Sequence, residues 1–417
     1  MSTALAERLL ASLPAVTDDG DRVAREAFLA AGLPDRKVES WRYSALTGLA
    51  SLDPAAGFVE PVVVPEMAGV RGTLAEFRSG RYTLATNLPV GLSLSVGAGL
   101  SREPLRGPPG KDRGTSPLPQ KAAQAGAFRW LVEAGVSQTL EVDVTAPVAG
   151  IWRLAMQHDA AGLTQSRCRV RVHAGASIAL VEHVFGGDDA IGLSNRLLDI
   201  ELEPGASLTW IRVQESGAKA QSIQHTAARL AAGAHLDLVS LELGGLWSRH
   251  ELAIDLTGAQ AQAKVTGLVA LQGRQHHDTQ LSLTHAVGAA DSRTLWKAIA
   301  NGRSRSVFNG LITVAPGADQ TEAHLKTSNL LLSPHAEIDT KPELVIEADE
   351  VVCSHGATVG QLDDKALFYL RSRGIPEAQA RQMLTLAFGG EVLSAVASAD
   401  LRAALAERVS SHMPQTA

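Results

Sequence analysis

The chain has 417 residues, a formal net charge of −6, 45% hydrophobic residues and only 4% aromatic residues. This length exceeds what one compact core usually supports, so we expect two or three structural units. The negative charge, with no block of Lys or Arg, argues against nucleic acid as a partner, because such binding depends on neutralising phosphates. No apolar stretch approaches the ~20 residues of a membrane-spanning helix, so we expect no membrane partner.

The N-terminal stretch and the cysteine content together indicate a cytoplasmic protein. Residues 1–13 carry Glu7 and Arg8 inside an apolar run, which predicts an amphipathic helix rather than a signal peptide. The two cysteines, Cys168 and Cys353, do not make a disulfide framework. Cys168 alternates with arginines along its segment, so we expect it to be a small core residue.

Residues 1–120 are predicted to form an N-terminal helical region that also holds small strands and a proline-rich loop. Helices are expected at residues 5–13 and 21–31, and Trp41 and Tyr43 are expected to dock this helical hairpin onto the body. Weakly alternating segments predict short strands at residues 62–64, 82–85 and 92–96. The prolines within residues 102–120 indicate a mobile loop or linker.

Gly-Ala dipeptides recur along the middle of the chain and predict a repeating fold. They begin at Gly175, Gly205, Gly233, Gly258, Gly288 and Gly317, at spacings of 30, 28, 25, 30 and 29 residues. Short alternating segments follow most of them, and β-type segments at such a period are typical of a solenoid. We therefore predict a mainly β protein, with a right-handed parallel β-helix at residues 121–358 between small N-terminal and C-terminal helical domains. Each Gly-Ala would lie at a tight corner where a larger side chain would clash.

The alternation is strongest toward the end of this repeat, in residues 336–354. Apolar side chains at even positions are predicted to be buried, and acidic side chains at odd positions to face water or a partner. The even set comprises Ile338, Leu344, Ile346 and Val352. In that register Cys353 and His355 share the acidic, outward face, roughly 7 Å apart. That spacing is too long for a hydrogen bond but suits a shared metal cluster or a partner surface.

Two stretches resemble the signatures of the SufD family, scaffold subunits of Suf iron–sulfur cluster assembly. One is IDTKPELVIEADEVVCSHGATVGQLD with the following LFYLRSRGI, and the weaker one is GLPDRKVESWRYSAL at residues 32–46. The resemblance implies a non-catalytic scaffold that pairs with a SufB-like sister subunit and binds a SufC-like ATPase. It also implies that Cys353 and His355 lie at the seam between the two scaffold subunits and share a nascent Fe–S cluster with the partner.

On this interpretation no cofactor is bound stably by the chain alone, because one Cys and one His cannot complete an Fe–S site. A homodimer is possible when the sister subunit is absent. Cys353 and His355 could instead only pack at a strand end. The family alternative is a SufB-like, cluster-bearing paralogue, although two cysteines and this length favour SufD.

The C-terminal region, residues 359–417, is predicted to form three short helices. Asp363 or Asp364 caps the first, Gly374 ends it, the second runs to Gly389-Gly390, and the third spans about 391–408. The resemblance places the ATPase contact in this region. The candidate contact residues are Phe368, Tyr369, Leu370, Arg371 and Arg373.

No pattern typical of an enzyme accompanies these signatures. The chain has no nucleotide-binding loop, GxSxG or HExxH motif, and nothing local suggests a Ser-His-Asp triad, so we expect no catalytic residues. A β-helix enzyme acting on carbohydrate is a further alternative, but it should show acidic pairs and an aromatic groove. His276 and His277 should point to opposite strand faces, while Glu322 and His324 should form an exposed polar pair on the flank of the solenoid.

Overall fold

About eight successive coils of parallel β-structure form the body of the protein, in a computed structural model that describes residues 2–16, 19–98 and 126–413. Each coil contributes one strand to each of two sheets. Three earlier strands, β1 (Thr73–Arg78), β2 (Arg81–Leu84) and β3 (Leu92–Ala98), extend the first coil. In this extension β1 runs parallel to the solenoid, whereas β2 and β3 pair antiparallel with their neighbours.

Within each sheet, neighbouring strands come from consecutive coils and pair in parallel. Sheet A contains β3 and then β4 (Gln138–Val144), β6 (Leu163–Val172), β8 (Leu193–Leu202), β10 (Gln221–Leu230), β12 (Trp247–Leu256), β14 (His276–His285), β16 (Arg305–Val314) and β18 (Glu337–Ile346). Sheet B contains β2, β1 and then β5 (Ile151–Gln157), β7 (Ser177–Phe185), β9 (Ser207–Glu215), β11 (His235–Glu242), β13 (Gln262–Leu271), β15 (Asp291–Ala300), β17 (Glu322–Leu331) and β19 (Val352–Gly360). The predicted parallel β-helix with flanking helices is confirmed.

The Gly-Ala dipeptides lie in the turns that lead from sheet A to sheet B, and two physical reasons account for their glycines. Gly205 has a φ of 69°, in the left-handed region that glycine adopts without steric cost. Gly258 has ordinary φ, but a Cβ there would collide with the backbone nitrogen of Ala232 in the preceding coil. Glycine is thus required either for the turn itself or for the close stacking of turns.

Inward side chains of both sheets form one hydrophobic core that runs the length of the solenoid. Cys168 belongs to it, as predicted, and is buried. Burial, together with the nearby carboxylate of Glu182, raises the pKa of this thiol well above its usual value. Cys168 is therefore a protonated packing residue.

The N-terminal region covers the outer face of sheet A. Helices α1 (Ser2–Ala11), α2 (Asp19–Ala31) and α3 (Ala127–Gly135) pack there in a second hydrophobic cluster. Trp41 docks this region as predicted: it is fully buried, stacks on Phe128 and Trp247, and lies under the Arg249 guanidinium at 3.9 Å. Tyr43 remains partly exposed.

Two expectations for the N-terminal region have a different outcome. Residues 62–64 are not a strand; within the described residues they lie in the irregular connection that precedes β1. The proline-rich segment at 102–120 lies outside the described residues. The strands expected at 82–85 and 92–96 correspond to β2 and β3.

The C-terminal helices α4 (Asp364–Ser372), α5 (Glu377–Leu393) and α6 (Ala399–His412) follow the last coil. Apolar side chains of α5 and α6 form a third cluster with the outer face of sheet B. Contrary to expectation, α5 continues through Gly389 and Gly390, because the absence of a side chain at Gly389 allows close packing against Leu268 and Met413. Among the helices that the structure describes, none is long and apolar enough to cross a membrane.

Candidate functional site

Cys353 and His355 lie on β19, the terminal strand of sheet B. The parallel register places Cys353 beside Ala323 and His355 beside Leu325 of β17. Both β17 residues are buried in the solenoid core. Cys353 and His355 therefore share a face, as predicted, but that face points into the solenoid and not outward.

The error in the predicted face arises at the turn between β18 and β19. Ile338 and Leu344 of β18 pack on the core, which confirms the even-inward pattern for that strand. The chain then changes sheets through residues 347–351, where Glu350 has a φ of 51°. Strand parity does not carry across such a turn, so Val352 faces outward and is exposed.

The inward face of the last coil is only partly covered. Ile346 is in register with the fully buried Val314, yet it is 42% exposed because no further coil lies over it. His355 is exposed as well, whereas Cys353 is half-buried against the core. The solenoid thus ends in an open coil with its interior side chains accessible.

The chemistry available at this open coil is that of two donors. Burial raises the pKa of the Cys353 thiol, although a backbone hydrogen bond from Ala323 opposes this, so the isolated chain holds it as a thiol. Thiolate and imidazole are both good iron ligands. Within the described part of the chain, no group of three or more His, Cys, Asp or Glu side chains could hold a metal ion.

The free edges of the terminal strands form a surface suited to strand pairing. In the described part of the chain β18 and β19 are the outermost strands of their sheets, so one row of backbone donors and acceptors on each lacks a strand partner there. Val345, Ile346, Val352 and Val359 present exposed apolar side chains along these two strands. Such an edge is a template for pairing with another chain.

Helix α4 presents the second predicted surface. The Asp363 carboxylate accepts a hydrogen bond from the Lys365 backbone at 2.8 Å and caps the helix, as predicted. Only Leu367 is buried, whereas Phe368 and Tyr369 are 72% and 57% exposed.

The charged candidates lie beside this exposed aromatic pair. Arg371 forms an exposed ion pair with Glu377 at 3.4 Å, and the Arg373 guanidinium lies 5.2 Å from the Tyr369 ring centroid. Leu370 is partly buried. The five candidate contact residues thus lie on the mostly solvent-exposed α4 and at its C-terminal cap, Arg373.

A Ser-His-Asp cluster that the sequence did not signal occurs where the N-terminal region meets sheet A. The Ser44 hydroxyl lies 3.1 Å from His276 Nε2 and donates to the Asp278 carboxylate, which also accepts from Arg249. A hydrolytic triad instead needs the carboxylate on the histidine, and an accessible serine. Ser44 is buried, so this cluster is a docking contact.

Sequence reasoning also missed an ionic network inside the solenoid. The Arg212 guanidinium donates to Glu242 at 2.8 Å and lies 3.2 Å from Glu182, with all three side chains nearly inaccessible. Burial acts to raise the pKa of Glu242, but Arg212 and then His250 outweigh it and hold that pKa below its ordinary value. Charged residues at inward strand positions were the available signal. The members of the network pair with one another, while Glu242 Oε2 and His250 Nδ1 have no hydrogen-bond partner among the described residues.

Comparison with family models matches residues 155–388 to the SufBD core domain of SUF system FeS cluster assembly. The chain belongs to the SufB/SufD family. The iron–sulfur cluster assembly protein SufD of Escherichia coli K12 is 31% identical over 400 residues, which cover 93% of this chain and 91% of that protein. The likeness therefore includes the N-terminal and C-terminal regions outside the core domain, and the chain is SufD-like.

Relatives from other organisms match a smaller part of this chain. An iron–sulfur cluster assembly SufBD family protein of Synechocystis is 37% identical over 219 residues, or 52% of this chain and 48% of that protein. A SufBD family protein of Mycobacterium tuberculosis is 29% identical over 311 residues, or 71% of this chain and 75% of that protein. These matches support a role in iron–sulfur cluster assembly and leave the carbohydrate-active alternative without support.

Proposed function

We propose that this SufD-like chain is a non-catalytic scaffold subunit of a cytoplasmic Suf complex. It pairs with a SufB-like sister subunit, binds a SufC-like ATPase, and helps to hold a nascent Fe–S cluster as cargo. The observation that carries this proposal is the open last coil, where Cys353 and His355 face inward beside two unpaired strand edges. The printed name of the E. coli relative, an iron–sulfur cluster assembly protein, supports the same role.

Pairing at the strand edges supplies the affinity. A sister subunit that adds strands to β18 and β19 satisfies their free backbone groups and covers the exposed Val345 and Val359. The same pairing closes the open coil over Cys353 and His355. The remaining cluster ligands then come from the partner, because these two donors cannot complete a site. A second copy of the chain pairs in the same way when the sister subunit is absent.

Substitution of the two donors tests the ligand role apart from pairing. We expect His355→Ala to leave co-purification with the sister subunit unchanged and to reduce cluster formation in cells, and Cys353→Ser to have an equal or smaller effect. His235→Ala is the matched control, since His235 is an exposed strand histidine of sheet B far from the end. A His355→Ala complex that assembles and delivers clusters like wild type would refute the ligand role.

Substitution at the edges tests the pairing itself. Val345→Lys with Val359→Lys places charges on exposed positions of both terminal strands, a device that blocks edge pairing. We expect loss of co-purification with the sister subunit. Val90→Lys, at a 92% exposed position away from this end, should have no effect. Unchanged association of the double variant would contradict the proposed interface.

A further inference from the structure

A cleft of about 400 Å³ lies between the outer face of sheet B and the C-terminal end of α5. Its sheet side carries four basic residues, Lys264, Arg293, His324 and Lys326. Glu391 of α5 and Ser394, the residue that caps its C-terminus, form the opposite wall. The cleft lies on the outer face, away from the inward-facing Cys353 and His355.

Strand register explains why the basic side chains converge. Lys264 of β13 is beside Arg293 of β15, which is beside His324 of β17. Neighbouring strands are about 4.8 Å apart, so the three form one column across the sheet. Lys326 lies two residues after His324 and therefore on the same face. Because the whole chain carries a net charge of −6, this column is a local reversal of the average charge.

The positive charge of the column is mostly uncompensated. Arg293 approaches Asp291 at 3.4 Å and Glu322 at 3.8 Å, but its side chain is 64% exposed, and such pairs contribute little. Lys264 and Lys326 are exposed and form no ion pair among the residues that the structure describes. Glu391, the acidic residue on the helix wall, is paired with Lys297, which lowers its pKa, and the Lys326 ammonium group adds a smaller lowering effect without forming an ion pair.

The histidine in the column has one ring nitrogen available. The His324 Nδ1 atom lies 2.7 Å from the Ser354 hydroxyl of β19. The tautomer decides which of the two groups donates: when the hydroxyl donates, the ring hydrogen is on Nε2 and can be donated to an anion in the cleft. Ser354 stands between Cys353 and His355, so His324 connects the cleft to the strand that carries the two candidate ligands, through the other face of that strand.

We propose that this cleft binds a small polyanion with at least two linked phosphate groups. An Arg fork and two Lys ammonium groups are the side chains that phosphate recognition uses, and the volume suits a small ligand. Asp291, Glu322 and Glu391 border the basic column, which disfavours an extended polyanion such as a nucleic acid strand. The proposal goes beyond the scaffold function and does not depend on it.

Calorimetric titration of the purified full chain with pyrophosphate at low ionic strength, without divalent cations, tests the site. The test variant is Lys264→Gln with Lys326→Gln. The control is Lys37→Gln with Lys219→Gln, which removes the same charge from exposed lysines elsewhere. We expect the test variant to bind pyrophosphate at least about tenfold more weakly than wild type, and the control to stay within about twofold.

Parallel titration with ADP distinguishes two sources of the same diphosphate chemistry. Tighter binding of ADP would identify a nucleotide as the ligand class, and tighter binding of pyrophosphate would identify a free polyphosphate. Both outcomes support the site when the Lys264→Gln, Lys326→Gln variant binds more weakly than wild type. Absence of pyrophosphate binding by wild type, or equal binding by test and control variants, would overturn it. Neither result bears on subunit pairing, since the readout uses the single chain.

Discussion

Replacing Phe368 and Tyr369 together by Ser should weaken binding of the ATPase subunit about a hundredfold while leaving the protein folded. In the free chain these side chains are 72% and 57% exposed, so their removal loses little burial. We expect the free energy of unfolding to change by no more than about 1 kcal/mol, including the loss of the exposed contact between Tyr369 and Arg373.

The effect on binding is much larger if α4 is the contact surface. A buried Phe covers roughly 200 Å². Since Phe368 is 72% exposed, full coverage would remove about 140 Å² from water, or about 3.5 kcal/mol. Association costs consume part of this gain, so we expect at least about tenfold weaker binding for Phe368→Ser alone and about a hundredfold for the double variant.

Calorimetry and co-elution with the purified ATPase subunit measure binding, and urea unfolding of the same preparations measures stability. Val90→Ser is the control, because Val90 is 92% exposed and lies before β3, far along the chain from α4. Point substitution is preferable to deleting the C-terminal region, since α5 and α6 share a hydrophobic cluster with sheet B. A folded double variant that binds the ATPase subunit within about twofold of wild type would refute the assignment.

Two further predictions concern folding. Trp41→Ala should lower the free energy of unfolding by about 3–5 kcal/mol in urea titration, because the ring is fully buried under Arg249, and an effect no larger than that of Tyr43→Ala would contradict this. Burial lowers the pKa of His277 to about 4, below the unfolded value of about 6.5, so the folded state resists protonation and stability falls as pH drops from about 6.5 to 4. His277→Gln should reduce the pH dependence of the free energy of unfolding by the equivalent of up to one bound proton. An unchanged pH dependence in urea titrations at several pH values would contradict the assignment.

The repeat could be predicted from sequence because its cause is local. A glycine such as Gly205 is needed wherever the chain turns with positive φ, and the turns recur once per coil. The alternation of β18 likewise follows from a period of two. Local patterns fail where a residue must be small to accommodate a neighbour that is distant in sequence. Gly389 was predicted to end a helix, but it lies inside α5 and leaves room for Leu268 and Met413.

The pairing of the interior charges and the N-terminal docking contact were not predictable for a related reason. Alternation assigns polar side chains to the outside, yet Arg212 and Glu242 face inward and are stabilised by each other across neighbouring coils. Ser44 meets Asp278 across 234 residues of sequence, a pairing that only the folded chain brings together. Such contacts depend on which coils are adjacent, and a single-strand pattern contains no information on that.

The inward position of Cys353 and His355 determines the form that the proposed pairing takes. Outward side chains could meet a partner that approaches from the flank, but inward side chains of a terminal coil meet one only if it stacks a further coil on the end. The partner's ligands would then come from its own inward positions. In the isolated chain Cys353 is a protonated thiol and His355 is solvent-exposed, so the ligand set is completed by assembly. Blocking the edges at Val345 and Val359 should therefore remove both pairing and cluster formation, whereas His355→Ala should remove only cluster formation.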